Sequence, residues 1–373
     1  MTAAEESITI FLPGLHGGGA EQMMLNLAGA FVDRGHEVSL VVAKEEGALV
    51  GEVPVGVELI DLAAVEPPGY NLLGALPGLI SHLRRREPDA LLSALNRANV
   101  VAILAARLSR VGTRVTVSER NHLTTYLEHA AWREHVMLPR LIGSMYPHAD
   151  GIVAISEGVR DSLVRATGLD PETVTVVYNP AMTEEIRAQY DEPVDHPWFA
   201  DDTPVVIGVG SLTEQKEFET LIRAIDHVRT ECDCRLVICG EGDRRDRLEA
   251  LVKELGLQDV VDLPGYVDNP YAMMDEADVF ALSSAWEGFG NVVVEALGCG
   301  CPVVATDCPS GPAEILADEE YGSLVPVGDP VALGDAIRSV LDDPPPAEKL
   351  EQRAADFTVE TIAEEYLDVL LDR

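Results

Sequence analysis

Lysine is almost absent from this 373-residue chain, which contains only Lys44, Lys216, Lys253 and Lys349. The 64 acidic residues outnumber the 27 lysines and arginines, so the net charge is −37. Such a chain repels polyanions, and its composition excludes general nucleic-acid binding. Asp/Glu-rich, Lys-poor surfaces are typical of proteins adapted to concentrated salt, so we expect a source such as a halophilic archaeon. Most carboxylates are accordingly interpreted as solubilising groups.

Long apolar runs are also missing. No run approaches the roughly 18 residues of a membrane span. The start of the chain, residues 1–6, lacks the basic and apolar regions of a signal peptide. We therefore expect a cytoplasmic protein, at most peripheral to a membrane. The cysteine pairs Cys232/Cys234 and Cys299/Cys301 lack zinc-site spacing and companion histidines, so no metal is expected.

Apolar, β-branched runs alternate with helix-length segments along the whole chain. The length suits two domains of about 150 to 200 residues each. The alternation predicts an α/β protein with two doubly wound, Rossmann-like parallel sheets, one in 1–180 and one in 205–345. Residues 181–204, rich in Asp, Glu and Pro, are predicted to be a linker. The segment 346–373 is predicted to be helical and to pack back toward the first domain.

Ligands of open parallel sheets bind beyond the carboxyl ends of the strands, so we expect the site in a cleft between the two domains. The loop after the first strand contains Gly17, Gly18 and Gly19, whose amides precede a helix. Consecutive glycines at a helix start favour a bound anion, and a phosphate is the natural ligand. Because the spacing departs from G-x-G-x-x-G, a dehydrogenase is poorly supported.

Two loops of the second domain carry the other candidate residues. Lys216 lies just past a glycine-bearing strand end, which in so Lys-poor a chain indicates a diphosphate ligand. In the segment 283–298, Glu287 precedes a Gly-Phe-Gly loop and a helix predicted to begin near Asn291. Glu295 lies about one turn inside that helix, so the two glutamates need not share a face. Carboxylates accept hydrogen bonds from hydroxyls and repel phosphates, so we expect sugar and ribose hydroxyls at the glutamates and phosphates at the loop amides.

Glu287-x7-Glu295, with Gly-Phe-Gly after the first glutamate, resembles the signature of retaining glycosyltransferases of family four, which have the two-domain GT-B fold. Shorter motifs extend the resemblance over nearly the whole chain, at 17–21, 154–158, 177–180, 240–243, 263–267 and 306–311. The resemblance implies transfer of a hexose or N-acetylhexosamine, with retention of configuration, from a UDP-linked sugar to a lipid-linked or polysaccharide acceptor. It implies a metal-independent reaction without a cofactor, in which the leaving phosphate acts as base.

Residue roles follow from the same resemblance. Glu295 would bind the ribose, Glu287 the transferred sugar and Lys216 the leaving diphosphate. The remaining donor-side residues are Gly17, Gly18, Ser211, Glu241, Tyr266, Val267, Phe289, Gly290 and Asn291. One departure is that many family members carry an arginine in the place of Ser211. Part of the group of residues that usually clamps the diphosphate is therefore missing or is supplied by another residue, such as Arg120 or another first-domain arginine.

His122 is a further catalytic candidate, because the segment Arg120, Asn121 and His122 follows a first-domain strand. We place these three residues on the acceptor side. A lone histidine is more often structural, and that alternative stays open here.

Arginines are concentrated in one stretch of the first domain, residues 84–140, which contains ten arginines and only five acids. They are Arg84, Arg85, Arg86, Arg97, Arg107, Arg110, Arg114, Arg120, Arg133 and Arg140. Together with an amphipathic segment at 132–146, this Arg-rich region, 84–140, predicts a peripheral membrane face. The alternative is that the arginines pair with nearby acids.

Three other functions compete with a transferase. A sugar-nucleotide epimerase of GT-B shape would need additional acid and base groups, and a phosphorylase would need a cofactor lysine. A non-catalytic sugar-nucleotide-binding partner of another transferase would bind donor without turnover, and Ser211 is the best argument for it.

Overall fold

The computed structural model describes residues 6–64 and 72–373. Residues 1–5, on which the signal-peptide prediction partly depends, lie outside the described residues. The chain divides into two compact units: Met1–Pro180 with Val359–Arg373, and Ala181–Thr358. Each unit is built on one parallel sheet.

Within its described residues, the first unit contains a seven-stranded sheet in the order β3-β2-β1-β4-β5-β6-β7. Its strands are β1 (Ser7–Leu12), β2 (Glu37–Val42), β3 (Glu58–Asp61), β4 (Ala90–Ala94), β5 (Arg114–Glu119), β6 (Gly151–Ala154) and β7 (Thr175–Val176). The helices between them are α1 (Gly19–Asp33), α2 (Leu76–Arg86), α3 (Asn96–Ser109), α4 (Leu123–His129), α5 (Trp132–Met145) and α6 (Glu157–Thr167). Every residue of β4 is buried, as both faces of a parallel sheet are covered.

Among the residues described, the second unit has a six-stranded sheet in the order β10-β9-β8-β11-β12-β13. Its strands are β8 (Val205–Val209), β9 (Arg235–Cys239), β10 (Val261–Gly265), β11 (Val279–Leu282), β12 (Val303–Thr306) and β13 (Ser323–Val325). Its helices are α7 (Glu184–Arg187), α8 (Phe218–Val228), α9 (Arg245–Leu255), α10 (Pro270–Asp275), α11 (Asn291–Gly298), α12 (Pro312–Ile315), α13 (Pro330–Asp342) and α14 (Ala347–Ala354).

The last helix, α15 (Val359–Leu371), returns to the first unit and completes its core. Ile362, Tyr366 and Leu370 are fully buried in the same apolar cluster as residues of β1 and α1. The Tyr366 hydroxyl shares a hydrogen bond with Ser118 Oγ of β5 at 3.2 Å. An amphipathic final segment therefore supplies part of the sheet's covering layer.

The strand order turns around between β8 and β11 in the second sheet. These two strands are direct neighbours, with Val206 opposite Val279 and Ile207 opposite Phe280. The chain winds outward in opposite directions from this pair, which makes it the topological switch point of the sheet. The loops that leave β8 and β11 therefore begin side by side at the sheet's carboxyl edge.

The predicted α/β class with two doubly wound sheets is confirmed. The short strands β3, β7 and β13, of two to four residues, were missed because their apolar runs are too brief to stand out.

Two segments differ from their predicted roles. The segment 181–204, predicted to be a linker, belongs to the second unit. There His196 Nε2 lies 3.0 Å from Asp262 Oδ2, and Asn269 donates to the carbonyl of Gln189. The C-terminal segment 346–373 is divided, because α14 packs on α11 and α15 packs in the first unit.

Replacing Tyr366 with alanine is expected to destabilise the first unit by about 3 to 5 kcal/mol, the usual cost of deleting a large buried ring. Tyr366→Phe keeps the ring and is expected to cost about 1 kcal/mol for the lost hydrogen bond. Hydrogen exchange of the β1 and β5 amides measures the change within this unit. Equal protection of β5 in wild type and Tyr366→Ala would contradict the packing described for α15.

Candidate donor-binding site

The loops that leave β8 and β11 bring Lys216 and Glu287 together. Lys216 Nζ lies 2.7 Å from Glu287 Oε1, and both side chains are largely buried. Burying two charges is costly unless they are paired, so each of these side chains depends on the other. The two residues are 71 positions apart, and the adjacency of β8 and β11 is what joins them.

Glu287 receives further hydrogen bonds from its own surroundings. Ser284 Oγ donates to Oε1 at 2.7 Å, and Gln215 Nε2 donates to Oε2 at 3.3 Å. Ser310 Oγ donates to the backbone carbonyl of Glu287 at 2.8 Å. The Glu287 carboxylate thus has three donors, from Lys216, Ser284 and Gln215, which hold it in place. In this state it can act mainly as a hydrogen-bond acceptor.

The Gly-Phe-Gly loop after Glu287 is packed tightly. Phe289 is buried with its ring centroid 5.5 Å from that of Phe357. Gly290 has φ +91° and caps α11, so Asn291 is the first helical residue rather than the N-cap. Gly311 packs directly against this loop. A Cβ atom at position 311 would lie only 1.7 Å from the Phe289 carbonyl oxygen. The loop backbone is therefore fixed before any ligand arrives, as an anion cradle requires.

Glu295 lies in α11 and keeps part of its surface exposed. Burial of its carboxyl raises the pKa to about 7, and the nearby Lys216 ammonium opposes this rise. Among the residues that the structure describes, no hydrogen bond to the Glu295 carboxylate is found. Lys216 thus influences both glutamates, while Glu295 keeps its acceptor capacity for a ligand.

The ends of β9 and β10 lead into three more of the predicted donor-side residues, Glu241, Tyr266 and Val267. Glu241 forms two hydrogen bonds with Arg245, at 2.8 and 2.9 Å, and these bonds lower the pKa of Glu241. Tyr266 is 77% exposed directly after β10, and Val267 is half-buried. Tyr266 therefore presents an aromatic side chain to solvent, whereas Glu241 already has a strong partner.

The glycine loop of the first unit differs from the prediction in one respect. Gly17 and Gly18 lie between β1 and α1, and both amides donate to Glu21 Oε2, at 3.1 and 2.6 Å. This carboxylate occupies the amides that the sequence assigned to a phosphate. A phosphate would have to displace Glu21, because each amide has one proton to donate. The sequence signal for this contact was a glutamate three residues after the helix cap.

The predicted diphosphate clamp lacks an arginine at position 211, where Ser211 is exposed after β8. The substitute suggested by the sequence, Arg120, is buried in the first unit and donates to Asn179 Oδ1 at 2.6 Å. Its guanidinium is buried and hydrogen-bonded inside that unit, which does not favour a place for Arg120 in the clamp. Arg244 does approach the loop after β8, where it lies 2.9 Å from Glu214 Oε2. Sequence analysis did not consider Arg244 because it belongs to no recognised motif.

The acceptor-side candidates follow β5. Asn121 is exposed, while His122 is half-buried at the start of α4, where burial lowers its pKa. His122 Nδ1 forms a hydrogen bond with Thr125 Oγ1 at 2.7 Å. The ring is thus oriented by its own helix, and a catalytic role for it stays a prediction.

A buried carboxyl at the end of β5 was missed. Glu119 is fully buried, and burial raises its pKa to about 7. Tyr146 donates to Oε2 at 3.1 Å, and Asn96, with its amide nitrogen turned toward Glu119, donates to both oxygens at 2.9 and 2.6 Å. No sequence pattern marked this residue, because its partners come from α3 and the end of α5.

Several arginines of the Arg-rich region are paired internally. Arg86 lies 2.6 Å from Glu58, Arg97 lies 2.9 Å from Glu134, and Arg84 donates to the carbonyls of Leu108 and Ser109. The exposed face of α5 carries large apolar side chains instead, namely Trp132, Met137 and Leu141. None of the helices described is long and apolar enough to cross a bilayer.

Two family descriptions match consecutive parts of the chain. Glycosyltransferase Family 4 matches residues 17–185, and Glycosyl transferases group 1 matches residues 194–357. The structure of Anabaena HepE in complex with UDP superposes with a TM-score of 0.79 at 22% identity, over 99% of this chain and 100% of that chain. WaaG, a glycosyltransferase involved in lipopolysaccharide biosynthesis, gives a TM-score of 0.71 at 16% identity, over 97% and 99% of the two chains. These likenesses establish the GT-B class of fold.

Proteins of similar sequence identify the family, within the GT-B fold class, to which the chain belongs. An N-acetylgalactosamine-N,N'-diacetylbacillosaminyl-diphospho-undecaprenol 4-alpha-N-acetylgalactosaminyltransferase of Campylobacter jejuni is 34% identical over 282 residues, 74% of each chain. The lipopolysaccharide core biosynthesis glycosyltransferase LpsE of Rhizobium meliloti is 28% identical over 95% of this chain and 96% of its own length. The chain belongs to glycosyltransferase family 4, with a group 1 glycosyl transferase domain as its second half.

Nucleotide binding is expected to weaken below pH 7 through Glu295. Its pKa of about 7 lies above the ordinary carboxyl value, so the acceptor form is complete at pH 8 and is lost as the pH falls. With UDP as the probe, calorimetry should show Kd rising about ten-fold from pH 8 to pH 6.

The matched control is Glu295→Gln, which removes this titration and leaves that of the nucleotide phosphate near pH 6. The difference between the two pH profiles measures the contribution of the Glu295 titration. Parallel profiles for wild type and Glu295→Gln would contradict the assignment of the pH dependence to this carboxyl.

Proposed function

We propose that this enzyme transfers a hexose or N-acetylhexosamine from a UDP-linked sugar to a lipid-linked or polysaccharide acceptor. The observation that carries the proposal is the ion pair of Lys216 with Glu287 at the switch point of the second sheet, together with the electrostatic effect of the same lysine on Glu295. One ammonium and two hydroxyl-accepting carboxylates suit a ligand that carries a diphosphate between two hydroxyl-bearing rings. The Campylobacter relative is named for a diphospho-undecaprenol acceptor, which supports the lipid-linked class.

The chemical role of Lys216 follows from where charge develops. As the bond between sugar and diphosphate breaks, negative charge grows on the leaving phosphate. The Lys216 ammonium and the amides of the fixed Gly-Phe-Gly loop would stabilise that charge without reorganising. This arrangement supports a metal-independent reaction, since the neutralising charge is supplied by the chain itself.

Retention of configuration is part of the proposal. Glu287 is held by Lys216, Ser284 and Gln215, and this restraint favours hydroxyl recognition over nucleophilic attack. The leaving phosphate would then serve as the base, with the acceptor attacking the same face of the sugar. His122 would orient the acceptor from its fixed position at the start of α4.

The function is tested by a panel of UDP-glucose, UDP-N-acetylglucosamine, UDP-N-acetylgalactosamine and GDP-mannose in concentrated salt, with thermal shift to select the donor. The product's anomeric configuration is then read by NMR. Glu287→Gln should lower kcat by about 100-fold with little change in nucleotide affinity. Glu295→Ala should weaken donor binding, and turnover should persist in EDTA.

The outcomes separate the competing functions. Donor binding without turnover by the wild type, with every acceptor tested, would favour the non-catalytic partner, for which Ser211 is the specific observation. Interconversion of the donor sugar without transfer would favour the epimerase. Loss of turnover in EDTA, restored by a divalent cation, would contradict metal independence.

We also propose that the enzyme is a cytoplasmic protein that attaches to the inner face of a membrane through α5. The exposed face of this helix combines Trp132, Met137 and Leu141 with Arg133 and Arg140. Apolar side chains interspersed with arginines suit an anionic lipid surface. The guanidinium groups of Arg84 and Arg86, by contrast, have protein partners, so α5 replaces α2 as the proposed contact.

Vesicle flotation tests this attachment. The triple variant Trp132→Ser, Met137→Ser, Leu141→Ser should lower the fraction bound to anionic vesicles at least about five-fold, because it removes the apolar contribution. The matched control, with Arg84, Arg85 and Arg86 changed to serine, should bind as the wild type does. If the arginine variant dissociates and the α5 variant stays bound, α2 and not α5 is the anchor.

A further inference from the structure

The two oxygens of Glu287 are not equivalent. Oε1 receives hydrogen bonds from Lys216 Nζ and Ser284 Oγ, both at 2.7 Å. Oε2 receives one, from Gln215 Nε2 at 3.3 Å. A carboxylate offers about four acceptor positions, two on each oxygen. Oε1 is therefore fully used, and the acceptor position that remains for a ligand is on Oε2.

Gln215 is itself fixed to the loop that carries Glu287. Its side-chain Nε2 donates to the carbonyl of Trp286 at 2.9 Å as well as to Oε2, and its backbone carbonyl accepts from the amide of Ala285 at 2.7 Å. The same side chain thus contacts the backbone preceding Glu287 and the end of its carboxylate. This double contact restricts rotation of the carboxylate relative to its own backbone.

Ser284 is held in turn from the neighbouring strand. Thr306 Oγ1, at the end of β12, donates to the Ser284 carbonyl at 2.6 Å. Ser283 Oγ donates to the carbonyl of Lys216 at 2.7 Å. The donors on Oε1 are therefore anchored by two strands, whereas Gln215 alone, among the described residues, hydrogen-bonds to Oε2.

We propose that Gln215 is a positioning residue that presents Oε2 of Glu287 to a hydroxyl of the donor sugar. The inference rests on the proposed function, because it needs a sugar at Glu287. Without the Gln215 amide, Oε2 is free to turn toward the Lys216 ammonium, and both oxygens then serve the ion pair. The sugar loses its acceptor, while Lys216 and Glu295, which would hold the diphosphate and the ribose of the nucleotide, stay in place.

Two variants and a matched control test the proposal. Gln215→Met removes the amide at constant charge and similar length. Gln215→Glu replaces a donor with an acceptor beside Oε2. The control Gln258→Glu makes the same chemical change at an exposed position just after α9. Calorimetry compares the affinities for UDP and for the UDP-sugar that the panel selects, and steady-state kinetics separates kcat from KM.

The expected result is that Gln215→Met binds UDP within about two-fold of wild type but loses about ten-fold in the additional affinity that the sugar provides. kcat should fall at least as much, and Gln215→Glu should be the more severely affected variant. Gln258→Glu should match wild type in every measurement. Retained UDP affinity shows that the variants are folded.

The proposal is overturned if Gln215→Met and Gln215→Glu keep the wild-type ratio of UDP-sugar to UDP affinity. It is also overturned if both ligands weaken by the same factor, since that pattern indicates a structural role for the whole loop. The binding comparison does not need transfer. Absence of turnover in the wild type would therefore overturn the proposed function alone, while the affinity ratio still decides the role of Gln215.

Discussion

The ion pair between Lys216 and Glu287 is the interaction on which the second unit's site depends. It joins the two loops that leave the switch point of the sheet, and it is largely buried, so removing either partner leaves an uncompensated charge. The other contacts of the site are arranged around it. Ser284 and Gln215 donate the other hydrogen bonds to the Glu287 carboxylate. Ser310, in the loop after β12, donates to the backbone carbonyl of Glu287. The same lysine also moderates the pKa of Glu295.

Much of this unit could be predicted because the relevant signals are local. The strand-loop-helix pattern around Glu287 and Glu295 specifies its own geometry, and a lysine in a Lys-poor chain stands out by composition. The observed ion pair has a different origin, because it depends on β8 and β11 being neighbours. Strand order is a property of the whole sheet, and no spacing within either loop reveals it.

The residues that sequence analysis missed share a physical cause. Glu119 is satisfied by Tyr146 and Asn96, which are contributed by separate elements, and the Arg120 guanidinium is taken by Asn179. Such contacts form between elements that are distant in sequence, so no periodic pattern in the sequence indicates them. The Gly17 and Gly18 amides are a related case, since the pattern predicted a bound phosphate, whereas in the structure the carboxylate of Glu21 accepts from both amides.

The return of α15 to the first unit has a consequence for how the protein is made. Residues 181–358, the whole second unit, are synthesised between the last strand of the first sheet and the helix that fills its core. The usual order, in which an N-terminal domain folds as it emerges from the ribosome, is interrupted here. Until α15 has been synthesised, the apolar surface that Ile362, Tyr366 and Leu370 bury stays uncovered. Removal of residues 359–373 alone would therefore expose the apolar core of the first unit.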